Sequence, residues 1–251
     1  GVFNQCFNKV VIYQGYRIQP YSPALATPLS NFETNQGYKD RQDPSLTLIF
    51  PINSNEPKFK DTSILVWTTT PWTLYSNFCI VVGPDMDYNL VEQDGKKYWI
   101  AASRTAAYFK NPNIVDTCKG SELVGKDYEP LSRISDAFVT PDQLSRHYKI
   151  YPADYVSTED GTGAVHTAPS FGEEDFQKGA ELDLGLFDPL DTEGKFTDKV
   201  PMWKGLGAKE ADKEIIRYFK EQGRVFKQDV IVHSYPHCWR TGVPLIYRAL
   251  K

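Results

Sequence analysis

Short runs of β-branched and aromatic residues recur along this chain at irregular spacing, and only three stretches carry helical periodicity. A parallel sheet built from βαβ units needs regular strand–helix alternation, so a barrel or curved sheet with peripheral helices fits this scatter better. The strand-like runs begin with Val10-Val-Ile-Tyr13, which faces Tyr16-Arg-Ile18 across Gln14-Gly15 as an opening hairpin. Ile64-Leu-Val-Trp-Thr68 and Phe78-Cys-Ile-Val-Val82 follow. Tyr88-Asn-Leu-Val-Glu92 and Lys97-Tyr-Trp-Ile100 flank Asp94-Gly95, the strongest short hairpin signal in the chain, because both residues tolerate positive φ. Lys149-Ile-Tyr151, Tyr155-Val-Ser157, Ala164-Val-His166 and residues 225–232 complete the set.

Three helices are expected. Residues 208–222 place Ala208, Ala211, Ile215 and Phe219 on one face, with Gly223 suited to the C-terminal cap. Ser170 precedes Glu173 with capping-box spacing, which predicts a helix over residues 171–182. Residues 101–109 predict a third. The proline-containing stretch 20–57 reads as a long decorated loop. No Pro/Gly/Ser linker, low-complexity tract or repeat divides the chain. The expectation is one α+β domain over residues 1–251, a β-barrel core with peripheral helices.

Composition narrows the function classes. With 41% hydrophobic residues in 251, a sizeable core is available. A formal net charge of −4 is not the footprint of a dedicated nucleic-acid binder, although it leaves room for a substrate held mainly by another domain. Cys6, Cys79, Cys118 and Cys238 lie far apart with no Cys-x-x-Cys pair, so neither a structural metal nor a disulfide framework is expected. No apolar stretch approaches the roughly 18 residues that span a bilayer. The chain opens on Gly1 with no signal peptide and reads as a soluble, cytoplasmic piece of something longer, with no membrane partner.

Two motifs carry the chemistry: Trp67-Thr-Thr-Thr-Pro-Trp-Thr-Leu74, and Gly161-Thr-Gly-Ala-Val-His-Thr-Ala-Pro169 followed by Phe171-Gly-Glu-Glu-Asp175. Pro71 obliges the first strand to end by Thr70. Side chains alternate along a strand, so Thr68 and Thr70 share a face and Thr69 points away. Each hydroxyl donates one hydrogen bond and accepts two, enough to orient a water or a ribose hydroxyl. Taken singly, every element has an ordinary reading: threonine is a good strand residue, glycine suits any tight turn, and an early-helix carboxylate complements the macrodipole. No nucleophile–base pair stands out. A metallohydrolase built on His233, His237 and Cys238 would need His-x-x-x-His on a helix face, and Pro236 between them argues against that helix.

Together the two motifs resemble the editing domain (connective polypeptide 1) of isoleucyl-tRNA synthetase, an insertion within the catalytic fold of that class I enzyme. Tyr235-Pro-His-Cys-Trp-Arg240 and Ile246-Tyr-Arg-Ala249 resemble the segment returning toward the synthetic core. Thr27-Pro-Leu-Ser-Asn-Phe-Glu33 and Tyr38-Lys-Asp40 resemble the eukaryotic cytosolic branch, or bacterial sequences close to it. The valyl and leucyl enzymes carry Thr-Thr-Arg-Pro where this chain has Thr-Thr-Thr-Pro.

The resemblance implies hydrolysis of mischarged Val-tRNA(Ile), and of valyl-adenylate, by water attack without a covalent intermediate. The alternative is a non-catalytic module that holds the tRNA acceptor end. It further implies that Asp175 pairs with the substrate ammonium and that His166 flanks the side-chain pocket. Thr68, Thr69 and Thr70 would contact the ester and the attacking water. Trp67, Trp72, Thr73, Gly163, Ala164, Ala168 and Phe171 would shape the pocket. Implied partners are the tRNA(Ile) acceptor end, valyl-adenylate and the remainder of the synthetase; no cofactor and no metal is implied. Many bacterial members carry a second histidine where this chain has Ser170-Phe171-Gly172, so no role for it transfers. Neither His-Ile-Gly-His nor Lys-Met-Ser-Lys-Ser occurs, so this chain alone is not expected to aminoacylate tRNA.

Overall fold

Strand β3 (Tyr38–Asn53) organises the sheet, because both of its edges are used in succession. One edge pairs antiparallel with β12 (Val225–Pro236) along residues 38–48, then with β9 (Asp127–Tyr128) at Ile52 and Asn53. The other pairs with β4 (Thr62–Thr68) along Leu46 to Pro51. The computed structural model in which these pairings are seen describes residues 15–251.

β4 also divides its second edge. Thr62 to Ile64 run parallel to β7 (Lys96–Ala101), and Trp67 pairs in parallel with Val165 of β11 (Ala164–Thr167). β11 continues to β5 (Cys79–Val82), β5 to β10 (Lys149–Pro152), and β10 meets β9, which leads back to β3. The pairings β3-β4-β11-β5-β10-β9 therefore form a ring, from which β12 and the series β7, β6 (Asp87–Gln93), β8 (Asn113–Lys119) extend. A small second sheet joins β13 (Ile246–Leu250), β1 (Arg17–Ser22) and β2 (Thr27–Pro28). This is the α+β, sheet-dominated architecture with peripheral helices that the irregular strand spacing implied.

Alternation along β3 and β4 splits the core. Leu46, Leu48, Phe50 and Ile52 join Ile64 and Val66 in the main cluster, while Ile49 and Leu65 face a smaller one with Tyr98, Ile100 and Phe109. The helices are α1 (Asn31–Asn35), α2 (Thr105–Tyr108), α3 (Gly120–Leu123), α4 (Pro141–Leu144), α5 (Glu173–Glu181) and α6 (Ala208–Glu221). Among the α-helices of the described residues, only α5 and α6 exceed five residues.

α6 buries Ala208, Ala211, Ile215 and Phe219, the stripe its periodicity predicts, and Ile216 beside them. Each large side chain removed from water there contributes about 1.5–3 kcal/mol. Gly223 has φ +70° and donates to Lys220 O, while Arg224 donates to Phe219 O, the paired bonds that end a helix at a left-handed residue. The Asp94-Gly95 turn carries φ +53° and +76°, as a tight hairpin between β6 and β7 requires.

Several expectations are corrected. Residues 20–57 are not a loop, since they hold half of β1, then β2, α1 and the 16-residue β3. Pro44 lowers the strand signal there, but it lies outside the doubly paired stretch of β3, where one edge is free and a missing N–H is tolerated. Residues 155–157 form no strand. The chain leaves the sheet after Pro152, and Tyr155, Val156 and Ser157 line a cavity instead. The partner proposed for Tyr16-Arg-Ile18, Val10-Val-Ile-Tyr13, lies outside the described residues, and β1 pairs with β13.

Gly163, at the entrance to β11, has φ +80°, and a Cβ there would sit 2.4 Å from the Ala101 side chain. Gly163→Ala should therefore cost about 2–4 kcal/mol, from left-handed strain plus overpacking. Urea unfolding checks this; wild-type stability would show that β11 and Ala101 can separate without penalty.

Candidate active site

The parallel contact between Trp67 and Val165 makes β4 and β11 neighbours, so residues about ninety positions apart meet at one end of the ring. A cavity of about 430 Å³ opens there. From the end of β4 come Trp67, Thr68, Thr69, Thr70, Trp72 and Thr73. β11 and its entrance supply Gly163, Ala164 and His166, and the segment leading into α5 supplies Ala168, Phe171 and Asp175. Every residue singled out from the two motifs thus lines the same space.

Local geometry explains how. β4 ends at Thr68, and Pro71 opens a buried 3-10 helix (Pro71–Ser76). The turn folds the hydroxyls into a chain: Thr68 Oγ1 lies 3.3 Å from Thr70 Oγ1, and Thr70 Oγ1 lies 3.1 Å from Thr73 Oγ1. Thr73 Oγ1 in turn lies 2.9 Å from His166 Nε2. His166 Nδ1 lies 2.8 Å from Asn77 Nδ2.

The direction of this chain follows from its ends. Asn77 Nδ2 also faces Cys79 O at 3.1 Å, and a carbonyl only accepts, so the amide nitrogen is placed correctly and donates to both neighbours. Its Oδ1 is left to accept from the Tyr128 hydroxyl. Nδ1 of His166 is then an acceptor, which puts the ring proton on Nε2, donating to Thr73. Thr73 spends its own proton on Thr70 O at 2.9 Å, so Thr70 donates to Thr73, and Thr68 to Thr70. His166 is almost wholly buried, and desolvation lowers its pKa to about 4. Near neutral pH it is an uncharged ring with its one lone pair already used. Thr69 Oγ1 has no hydrogen-bond partner among the described residues and remains available to the cavity.

Asp175 has the opposite character. Its Oδ2 accepts from Ala168 N at 2.8 Å, yet burial raises its pKa to about 6. No Lys, Arg or His nitrogen among the described residues lies within 4 Å of it. A carboxylate held in a cavity without a cation is an unmet electrostatic demand. Two further orphans sit on residues lining the same space: the Trp72 indole N–H and the Tyr155 hydroxyl are buried without partners. The Trp72 ring packs edge-on against Phe171, with centroids 4.8 Å apart.

Asn77 and Tyr155 escaped the sequence reading. Asn77 lies just beyond the Trp-Thr-Leu motif and announces itself only through His166; Tyr155 resembled an ordinary strand residue. Ser170 is not the cap of α5. Gly172 holds that position, and Ser170 Oγ instead accepts from Phe187 N at 3.0 Å, tying the loop to the core. His233 and His237 lie along or just beyond strand β12 and bond to Asp43 and Tyr235 O respectively, not to one another. Among the described residues, no cluster of His, Cys, Asp and Glu is arranged to hold a metal. No described helix is long and apolar enough to cross a membrane.

Comparison with known proteins agrees with this layout. The profile of the family described as tRNA synthetases class I (I, L, M and V) matches residues 1–241. The chain therefore belongs to the class I tRNA synthetases. Within that class it is similar to isoleucine–tRNA ligases: 45% identical to that of Bdellovibrio bacteriovorus, covering 100% of this chain and 24% of the relative. It is 39% identical to that of Chlamydia pneumoniae, with the same coverage of 100% and 24%. The chain spans about a quarter of the length of these relatives. Its fold is similar to the editing domain of the P. knowlesi cytosolic leucyl-tRNA synthetase (TM-score 0.55, 13% identity, 79% of this chain and 99% of that one). GlLeuRS-CP1 is equally similar (TM-score 0.55, 12% identity, 74% and 99%). The resemblance drawn from the two motifs is thus matched in sequence to isoleucine–tRNA ligases and in fold to editing domains.

The raised pKa of Asp175 has a signed consequence. Its folded pKa of about 6 lies above the ordinary 3.8, so the folded state loses stability as pH rises from about 4 to about 6. Asp175→Asn, which cannot ionise, should be more stable than wild type by up to about 3 kcal/mol near pH 8, with no difference near pH 4. Thermal unfolding across that range checks it.

Proposed function

We propose that this cavity hydrolyses the ester of a small aminoacyl-tRNA, and the corresponding adenylate, as the proofreading site of an isoleucine-specific synthetase. The observation that carries the reading is Asp175: a carboxylate in the cavity wall with no cation beside it among the described residues. An α-ammonium group supplies the missing charge, and requires the amino group of the substrate to be free.

Valine is the amino acid the reading assigns. A pocket that accepts isoleucine discriminates poorly against a side chain one methylene smaller, a limit for which isoleucine and valine are the standard illustration, so a second, smaller site is needed. His166 and its hydrogen-bonded neighbours form a rigid wall that limits side-chain size. The substrate is Val-tRNA(Ile), presented by its acceptor end, with valyl-adenylate as a second substrate. The rest of the synthetase supplies most of the tRNA affinity, consistent with a net charge of −4.

Catalysis proceeds by direct water attack. The water oxygen bonds to the ester carbon, the bond from carbon to the ribose oxygen breaks, and the proton of the water passes to the departing ribose oxygen. The Thr69 hydroxyl and the spare lone pair of Thr68 orient water and ester, and an activated ester needs orientation more than covalent assistance. His166 is a neutral donor in this scheme, not the base, because Asn77 occupies its lone pair.

Asp175→Ala should release valine from Val-tRNA(Ile) at least about 10²-fold more slowly, with the fold intact. Normal deacylation by that variant would sink the assignment of the ammonium site. Retention of Val-tRNA(Ile) by wild type without release of valine would identify a binding module instead. For His166→Ala, selectivity for Val over Ile should relax while the pH–rate profile keeps its shape; loss of a basic limb near neutrality would restore imidazole as the base.

A further inference from the structure

The threonine turn is anchored by a residue 140 positions away that neither motif contains. Pro71 opens the 3-10 helix and has no N–H, so the peptide of Trp72 is the first donor that this helix must satisfy. Thr70, in the cap position, makes no side-chain capping bond. Asp212 of α6 does so in its place, with Oδ1 accepting from Trp72 N at 2.9 Å. Asp212 is buried, and α6 packs directly on the 3-10 helix.

Of the charged groups near Asp212, Lys209 lies one turn earlier on α6, while Arg41 and Asp43 face it from β3. Lys209 and Arg41 are both engaged by Asp43, at 3.5 and 2.8 Å, and Lys209 also lies over the Tyr235 ring of β12. Asp43 is itself shared with His233 of β12, and Lys213 lines the same outer cavity as Asp212. Asp212 makes no ion pair of its own among the described residues, and burial raises its pKa to about 7. Its fixed contribution is therefore an acceptor oxygen, which both the acid and the carboxylate offer.

We propose that Asp212 is a positioning residue for the hydrolytic site. By holding the Trp72 peptide it keeps the Thr70 and Thr73 hydroxyls in register with His166 Nε2. The role in turnover rests on the hydrolytic reading above; the anchoring of the turn does not.

The test compares Asp212→Asn, which keeps the shape and an acceptor oxygen, with Asp212→Ala, which keeps neither. Amide exchange at Trp72 and the ring-nitrogen shifts of His166 report the anchoring without reference to any reaction. In D212A the Trp72 amide should exchange at least about tenfold faster and the His166 shifts should move, whereas D212N should match wild type. Turnover of Val-tRNA(Ile) should fall about 10²-fold in kcat for D212A with KM within about twofold, and D212N should stay within about threefold of wild type.

Unchanged Trp72 exchange in D212A overturns the anchoring. Equal loss of turnover in D212N and D212A overturns the role of the acceptor, as does wild-type kcat in D212A. Should D212A be too unstable to assay, D212N decides alone: retained turnover supports the acceptor role and lost turnover overturns it. A full-length synthetase carrying this chain that cleaves no aminoacyl ester refutes the hydrolytic reading, while exchange and the His166 shifts still decide whether Asp212 holds the turn.

Discussion

The short parallel contact between β4 and β11 is the joint on which the cavity depends. It rests on very few ladder bonds, since only Trp67 and Val165 are in register, and Gly161-Thr162-Gly163 reinforces it. Thr162 Oγ1 donates to Leu65 O of β4 at 2.7 Å, and Thr162 O accepts from Ala101 N at the end of β7 at 2.9 Å. Gly163 O accepts from the Tyr88 hydroxyl of β6. Gly161 lies under the Trp67 ring, where a Cβ would come within 3.2–3.4 Å of its carbons. The glycines therefore allow one loop to bond to three strands at close range. Without that staple Thr68 and His166 would have no reason to share a wall.

Within this frame burial acts in opposite senses on two titratable groups. His166 answers desolvation by staying neutral, and its two ring nitrogens are both used, so it functions as a rigid polar wall. Asp175 answers with a raised pKa but keeps an accessible side, because one oxygen is bonded to Ala168 and no cation among the described residues shares the site. A neutral ring beside an uncompensated carboxylate suits a cationic ligand whose other end is polar and uncharged. An aminoacyl ester fits that description.

Much of this was legible in the sequence, and the reasons can be traced to particular residues. The Asp94-Gly95 hairpin and the amphipathic α6 depend on local φ preference and on period, which short windows contain. All the cavity residues named from the two motifs do meet, because both motifs lie at strand ends that the fold places together. The failures share a cause. Residues 20–57 looked irregular because of prolines such as Pro44 and Pro51, yet β3 pairs with β12 along residues 38–48 and with β4 along residues 46–51. Ser170 had the spacing of a helix cap, but a long-range bond to Phe187 N claimed its hydroxyl. Asn77, Tyr155 and Asp212 carry no local signal, since their roles exist only through partners far along the chain.

The sequence by itself determined the elements whose causes are local, and through its two motifs it determined the family resemblance and the residue types of the cavity. The tertiary structure alone decided their states: which nitrogen of His166 carries the proton, that Asp175 has no counter-ion among the described residues, and that Asp212 caps a helix 140 residues away. The physical reason is that protonation and hydrogen-bond direction depend on desolvation and on partners within about 3 Å. Those partners come from the 3-10 helix and Asn77 at its end, from the backbone of Ala168 and from α6, and only folding brings them together.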